Sequence, residues 1–178
     1  LMGPDDAADL MANLSAERTE TLLDLMDQEE AEDIRQLLKY EPYTAGGMMT
    51  PEPIVCAADT TVAEAMALIR RKEVEPVLAA QVFVTLPPYE PPTGRYLGVV
   101  HFQKLLRYPP HERLSSILDT ELEPIHVDTP IAKIHRDLAT YDLVALPVVD
   151  DNRHLIGAVT VDDVLDHLLP DDWRSEED

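Results

Sequence analysis

Asp162, Asp163 and Asp166 stand together near the end of the chain, and Asp6 and Asp9 stand near its start. Spacings of three and four residues place side chains on one face of a helix, so each group would present carboxylates in one direction. Mg2+ takes oxygen ligands in an octahedron and keeps several waters, so one or two carboxylates from each of two surfaces suffice to hold it. Facing acidic surfaces repel when empty, and a divalent cation between them neutralises the charge and clamps them together. The same residues also have a structural use. Thr160-x-x-Asp163 is a helix capping box, and acids in a first helical turn complement the helix dipole.

Other reactive side chains form no catalytic pattern. His101, His126, His135, His154 and His167 share no HxxH or HExxH spacing, and His111 sits in a Tyr-Pro-Pro-His stretch, so all are read as surface histidines. Gly46-Gly47 is an isolated pair that suits a hinge and makes no phosphate-binding loop. Cys56, between Val55 and Ala57, reads as a small buried strand residue, and Met48-Met49 as core packing. No nucleophile stands beside a base at recognisable spacing. The chain is expected not to be an enzyme.

The elements that position the carboxylates must come from 178 residues, enough for one or two domains. At 45% hydrophobic and only 5% aromatic, the core is aliphatic. With 14 Lys+Arg against 35 Asp+Glu the net charge is −21, which excludes sequence-independent nucleic-acid binding because no basic surface releases counterions. It also opposes docking on anionic lipid and favours a cationic partner. Residues 1–40 and 162–178 together hold −15 of the −21. No apolar run approaches the roughly 18–20 residues of a membrane span. Pro4, Asp5 and Asp6 occupy the place of a secretory signal's basic region. A single cysteine fits a reducing compartment, so the expected location is cytoplasmic, or the cytoplasmic face of the inner membrane. Leu1 in place of a starting Met suggests a piece of a longer protein.

Two internal repeats organise the chain. An offset of 24 brings Asp5–Leu10 onto Glu29–Ile34, which predicts stacked helical repeats, with a further helix after Ser15. Glu52-Pro53-Ile54 recurs as Glu123-Pro124-Ile125, each leading to a short strand. Asp59 and Asp128 are then predicted as N-caps of helices. Each unit closes on a strand-to-helix turn, Leu97–Leu106 in the first and Ile156–Leu165 in the second. The proline-rich loop Leu86–Gly94 lengthens the first copy.

Tandem β-α-β-β-α units closing on Gly157, Thr160 and Asp163, preceded by Leu146-Pro147-Val148-Val149-Asp150, resemble a pair of CBS domains. Thr44-Ala45-Gly46-Gly47-Met48-Met49-Thr50-Pro51 behind an acidic helical repeat resembles the junction in MgtE-type magnesium transporters, and Tyr141-Asp142-Leu143 and Thr160–Asp166 fit that family too. The resemblance spans the whole chain and implies an α+β fold. It divides the chain into a helical segment at 1–42, CBS domains at 43–118 and 119–169, and an acidic tail at 170–178. It further implies a homodimer through CBS helices and a magnesium-sensing role, with the signal passed to a transmembrane pore outside this chain. Pro170 departs from the long connecting helix of such a transporter, which favours a soluble relative.

By that resemblance Asp6 and Asp9 are metal ligands on the helical side, with Asp163 and Asp166 on the CBS side and Asp162 beside them. Asp142 and Asp171 are weaker candidates. Arg174 and Ser175 stand where the family has further acids, so fewer ions should bind. CBS pairs also hold adenine nucleotides such as ATP, the motif Asp gripping the ribose. In the first copy His101 and Lys104 take the motif positions, and lysine cannot accept hydrogen bonds from a diol. A nucleotide site in the second copy would use Ile125, Leu143, Thr160 and Asp163.

Overall fold

The computed structural model describes residues 3–72, 74–141 and 143–168. Asp142, Asp171 and the predicted acidic tail lie outside them.

Three helices open the chain. Pro4 begins α1 (Pro4–Ala12) where its missing N–H costs nothing, and Ala7, Ala8 and Met11 bury one face. In α2 (Ala16–Leu23) Leu23 turns inward, 1% exposed. α3 (Gln28–Leu37) is capped by Asp27, which accepts from the Glu29 N–H at 3.0 Å, and it buries Ala31, Ile34 and Leu37. The two copies of the 24-residue repeat, α1 and α3, pack on each other. α4 (Ala45–Met48) then leads into the sheets. It is no hinge. Gly46 donates to the Val127 carbonyl at 2.8 Å, and a Cβ there would meet Val127 Cγ2 at 2.5 Å, so glycine answers a close approach.

Each later repeat is a three-stranded sheet with one parallel and one antiparallel pairing. The first runs β1 (Val55–Ala57), α5 (Val62–Ile69), β2 (Gln81–Thr85), β3 (Tyr96–His101), α6 (Phe102–Leu105) and α7 (Leu114–Ile117). The second runs β4 (Ile125–His126), α8 (Ile131–Tyr141), β5 (Ala145–Val149), β6 (Leu155–Thr160) and α9 (Val161–Asp166). The predicted caps fall elsewhere. Thr61, not Asp59, caps α5 in a reciprocal box with Glu64, which satisfies two backbone donors where Asp59 would satisfy one. α8 likewise starts at Ile131, beyond Asp128.

The lead-in to each repeat is traded. Thr50, ahead of β1, exchanges two backbone hydrogen bonds with Ala158 of β6, and Asp119, ahead of β4, does the same with Val99 of β3. Gly157 permits the first exchange, since a Cβ there would lie 2.6 Å from the Thr50 carbonyl. The Leu86–Gly94 loop also crosses over, where Thr93 N–H donates to the Leu155 carbonyl and Thr93 Oγ1 accepts from the Leu155 N–H.

The first repeat has its own core around Val62, Ala65, Val82, Val84 and Leu105. The helical segment has none. Leu23, Ile34 and Leu37 share one cluster with Met48, Met49, Val148, Val159 and Val164 of the junction and second repeat. Burial of that shared face is what docks the segment. Leu23→Ala is therefore expected to cost about 2–5 kcal/mol, read as a lowered melting temperature together with faster proteolysis inside residues 1–42. Unchanged cleavage there would contradict the shared core.

Candidate metal centre

α9 begins where β6 ends, so the first turn of the helix carries its carboxylates at the sheet's edge. Asp163 curls back to the cap. Its Oδ2 accepts from the Thr160 N–H at 2.8 Å, and the Thr160 hydroxyl lies between the carboxylates of Asp162 and Asp163. The capping use read from Thr160-x-x-Asp163 is present, and both of its bonds fall on Asp163 Oδ2.

The shared core brings α1 against this turn. His167 donates from Nδ1 to the Asp163 carbonyl at 2.8 Å, leaving Nε2 3.8 Å from Asp9 Oδ2, and Tyr43 packs edge-on to the imidazole. Burial pushes the Asp163 carboxyl up to about 8, against the lowering bonds from Thr160, and the charges of Asp5 and Asp162 add to the rise. Burial also raises Asp5 to about 6, with Asp6 and Glu75 contributing. Asp9 is raised by burial and by Asp6 and Asp166, while His167 lowers it. Like charges from two elements face one seam, in which Asp5 and Asp163 are poorly solvated while Asp9 keeps about half of its side chain exposed.

Of the acids singled out in the sequence, Asp6 and Asp9 fall on α1 and Asp162, Asp163 and Asp166 on α9. The described residues include no three His, Cys, Asp or Glu side chains converging closely enough for a ready metal cage. The donors are nonetheless carboxylate oxygens on two surfaces, the set a hard, partly hydrated divalent cation accepts. Sequence reading passed over Asp5 and His167. His167 is no scattered surface residue, its side chain being 15% exposed. Its signal was its place directly after Asp166.

Residues 1–43 match the MgtE intracellular N domain, and residues 45–111 and 114–170 each match the CBS domain. The chain belongs to the CBS-domain family. Its CBS pair follows a segment that matches the MgtE intracellular N domain. MgtE of Thermus thermophilus is 33% identical over 167 residues, 92% of this chain and 36% of that protein. The chain thus spans about a third of that relative's length. Among solved structures, the cytosolic domain of the Mg2+ channel MgtE in complex with ATP matches with a TM-score of 0.82 at 32% identity, covering 93% of this chain and 66% of that one. The soluble part of a magnesium transporter matches at 0.83 and 31% identity, covering 94% and 63%. No helix among the described residues is long and apolar enough to cross a membrane.

Two of the clefts bordered by the CBS pair bear on the expected nucleotide set. The first, about 510 Å3, is lined by Ile125, Leu143 and Leu146 of the second domain and by His101 of the first, with Asp119 and Glu121 on its rim. Burial lowers the His101 pKa, with Asp119 opposing and Lys104 assisting. The second, about 360 Å3, is lined by Ile54, Val74, Leu78, Arg71 and Glu75 of the first domain. Ile125 and Leu143 therefore share no cleft with Thr160 and Asp163, contrary to the expected nucleotide set. The traded lead-in explains the difference, because Asp119 ahead of β4 pairs with Val99 of β3 and Ile125 then shares a cleft with His101.

Proposed function

We propose that the chain is the Mg2+-sensing portion of a transporter's cytosolic regulatory region, non-catalytic and acting at the cytoplasmic face of the membrane. Asp6 and Asp9 on α1, and Asp163, Asp166 and Asp162 on α9, would hold the ion, in part through its own waters. A bound divalent cation supplies charge neutralisation. Asp9 and Asp163 can then stay ionised while α1 rests on α9, whereas uncompensated they push the helical segment off the second CBS domain. The observation that carries this reading is the meeting of α1 and α9 carboxylate surfaces, where His167, bonded to the Asp163 carbonyl at 2.8 Å, sets its Nε2 3.8 Å from Asp9 Oδ2. Asp142 is a further ligand proposed from the family resemblance alone. Compaction would pass through a homodimer formed by the CBS helices to a transmembrane pore outside this chain, in keeping with relatives that are magnesium transporters. The net charge of −21 leaves nucleic acid out as a partner.

A second reading is an adenine-nucleotide module with an acidic surface that only solubilises. The first cleft and the relative solved with ATP favour it. The rim carboxylates of Asp119, Glu121, Glu123 and Asp137 oppose a triphosphate, and Lys133 is already paired with Asp137 at 2.7 Å. Titration calorimetry separates the two. Mg2+ is expected to give a saturable heat that Asp9→Ala combined with Asp163→Ala removes. No heat from the wild type ends the sensor reading, and ATP heat that persists in EDTA and in the double variant favours the nucleotide.

A further inference from the structure

The alternation of side chains along β2 and β3 shows which of them face the second domain. Phe83 pairs with Val99 and Gln81 with His101 across the two strands. Phe83 and Val99 share a cluster with Val149, Leu155 and Ala158 of the second domain, while Val82, Val84 and Val100 belong to the first domain's own core. Gln81 and His101 therefore stand side by side on the face toward the second domain. Gln81 is 2% exposed, and its Nε2 donates to the Ala145 carbonyl at 3.1 Å. Its Oε1 is buried and finds no donor among the described residues. His101 precedes α6 at the place that Thr160 holds before α9, yet its side chain makes no capping bond.

A buried acceptor without a donor is costly, and the imidazole beside it can supply one. The neutral ring carries a single N–H. Asp119, which lines the same cleft as His101, attracts it. A second N–H exists only when the ring is protonated. We propose that protonation of His101 turns its ring from the wall of the first cleft onto Gln81 Oε1, making the join between the CBS domains a proton-operated switch. The charged groups facing the ring are Lys104 of α6, Asp119, Glu121 and Glu123 ahead of β4, and Lys133 and Asp137 of α8. Lys104 opposes the proton and Asp119 favours it, while Lys133 and Asp137 are spent on each other at 2.7 Å. With the ring in the cleft, burial holds its pKa below the usual 6.5. The bond to Gln81 offsets that penalty and brings the change nearer the neutral range. The other end of the Gln81 amide holds Ala145, which follows Val144, and the Val144 carbonyl accepts from the Val161 N–H that opens α9. The switch is thereby joined to the helix that carries Asp162, Asp163 and Asp166, and it needs no ion to turn.

The test is an NMR titration of the His101 ring in the full chain in EDTA, its signal assigned by its loss in His101→Asn. Gln81→Met, which removes the acceptor at similar volume, should lower the titration midpoint by about one pH unit, roughly a tenfold loss of proton affinity. Gln81→Glu keeps an acceptor at the same reach and should restore the midpoint or exceed it. Midpoints equal in the wild type and both variants overturn the switch, because a water on Oε1 would leave the ring indifferent to residue 81. A midpoint lowered by both variants marks Gln81 as a packing residue and also overturns it. Crystal structures of the wild type at pH 8 and pH 5 decide the matter even where the variants fail to fold. The ring should line the cleft at pH 8 and lie about 3 Å from Gln81 Oε1 at pH 5. A ring on the cleft wall at both pH values overturns the movement.

Discussion

Asp163→Asn is expected to raise the melting temperature of the metal-free protein at pH 8 and to raise it much less at pH 5. The folded-state pKa of Asp163 lies above its ordinary value of 3.8, at about 8. Its contribution to stability is therefore fully present below about pH 4 and is lost progressively as pH rises toward 8. Asp5, raised to about 6, adds loss in the lower part of that window. Asparagine keeps an acceptor for the Thr160 N–H and carries no charge to lose. The three pH units from pH 5 to pH 8, at ~1.36 kcal/mol each, set an upper bound of about 4 kcal/mol on the difference between the two gains. Because α1 can lift away and readmit water, a gain of about 2 kcal/mol is expected, or roughly 4–8 °C for a chain of this size. Circular dichroism melts in EDTA across pH 5 to 8 check it. An asparagine variant that melts below the wild type at pH 8 would mean that capping outweighs repulsion across the seam.

Mg2+ should raise the wild-type melting temperature strongly at pH 8 and hardly at all at pH 5. A ligand of the closed state at about 20 times its dissociation constant contributes about 1.8 kcal/mol, or roughly 4–7 °C. At pH 5 the proton already sits on Asp163, and the ion must displace it. Asp9→Ala with Asp163→Ala should abolish the shift at both pH values. A shift of equal size at pH 5 and pH 8, or one that survives the double variant, would place the ion away from this seam.

The repeat carrying Glu-Pro-Ile, the strand-to-helix turns and the i, i+3 and i, i+4 aspartates were legible because they are local. Hydrophobic periodicity and capping chemistry depend on neighbours within a few residues, and the resemblance to a CBS pair behind an MgtE helical segment stood on those same stretches. Cap positions proved less secure. Thr61 displaced Asp59 because a reciprocal box satisfies more donors than a lone carboxylate.

By itself, then, the sequence determined two sheet-bearing repeats behind acidic helices, with aspartates gathered on α1 and α9. Tertiary structure alone decided which surfaces those aspartates meet. The helical segment has no core of its own and must bury Leu23, Ile34 and Leu37 on the second domain, which carries Asp5 and Asp9 to Asp163 and His167. The traded pairings of Thr50 with Ala158 and Asp119 with Val99 likewise set Ile125 opposite His101 and not Thr160. Such pairings join residues more than a hundred positions apart in one case and twenty in the other. No local pattern encodes them, because the backbone hydrogen bonds that make them are common to every residue type but proline.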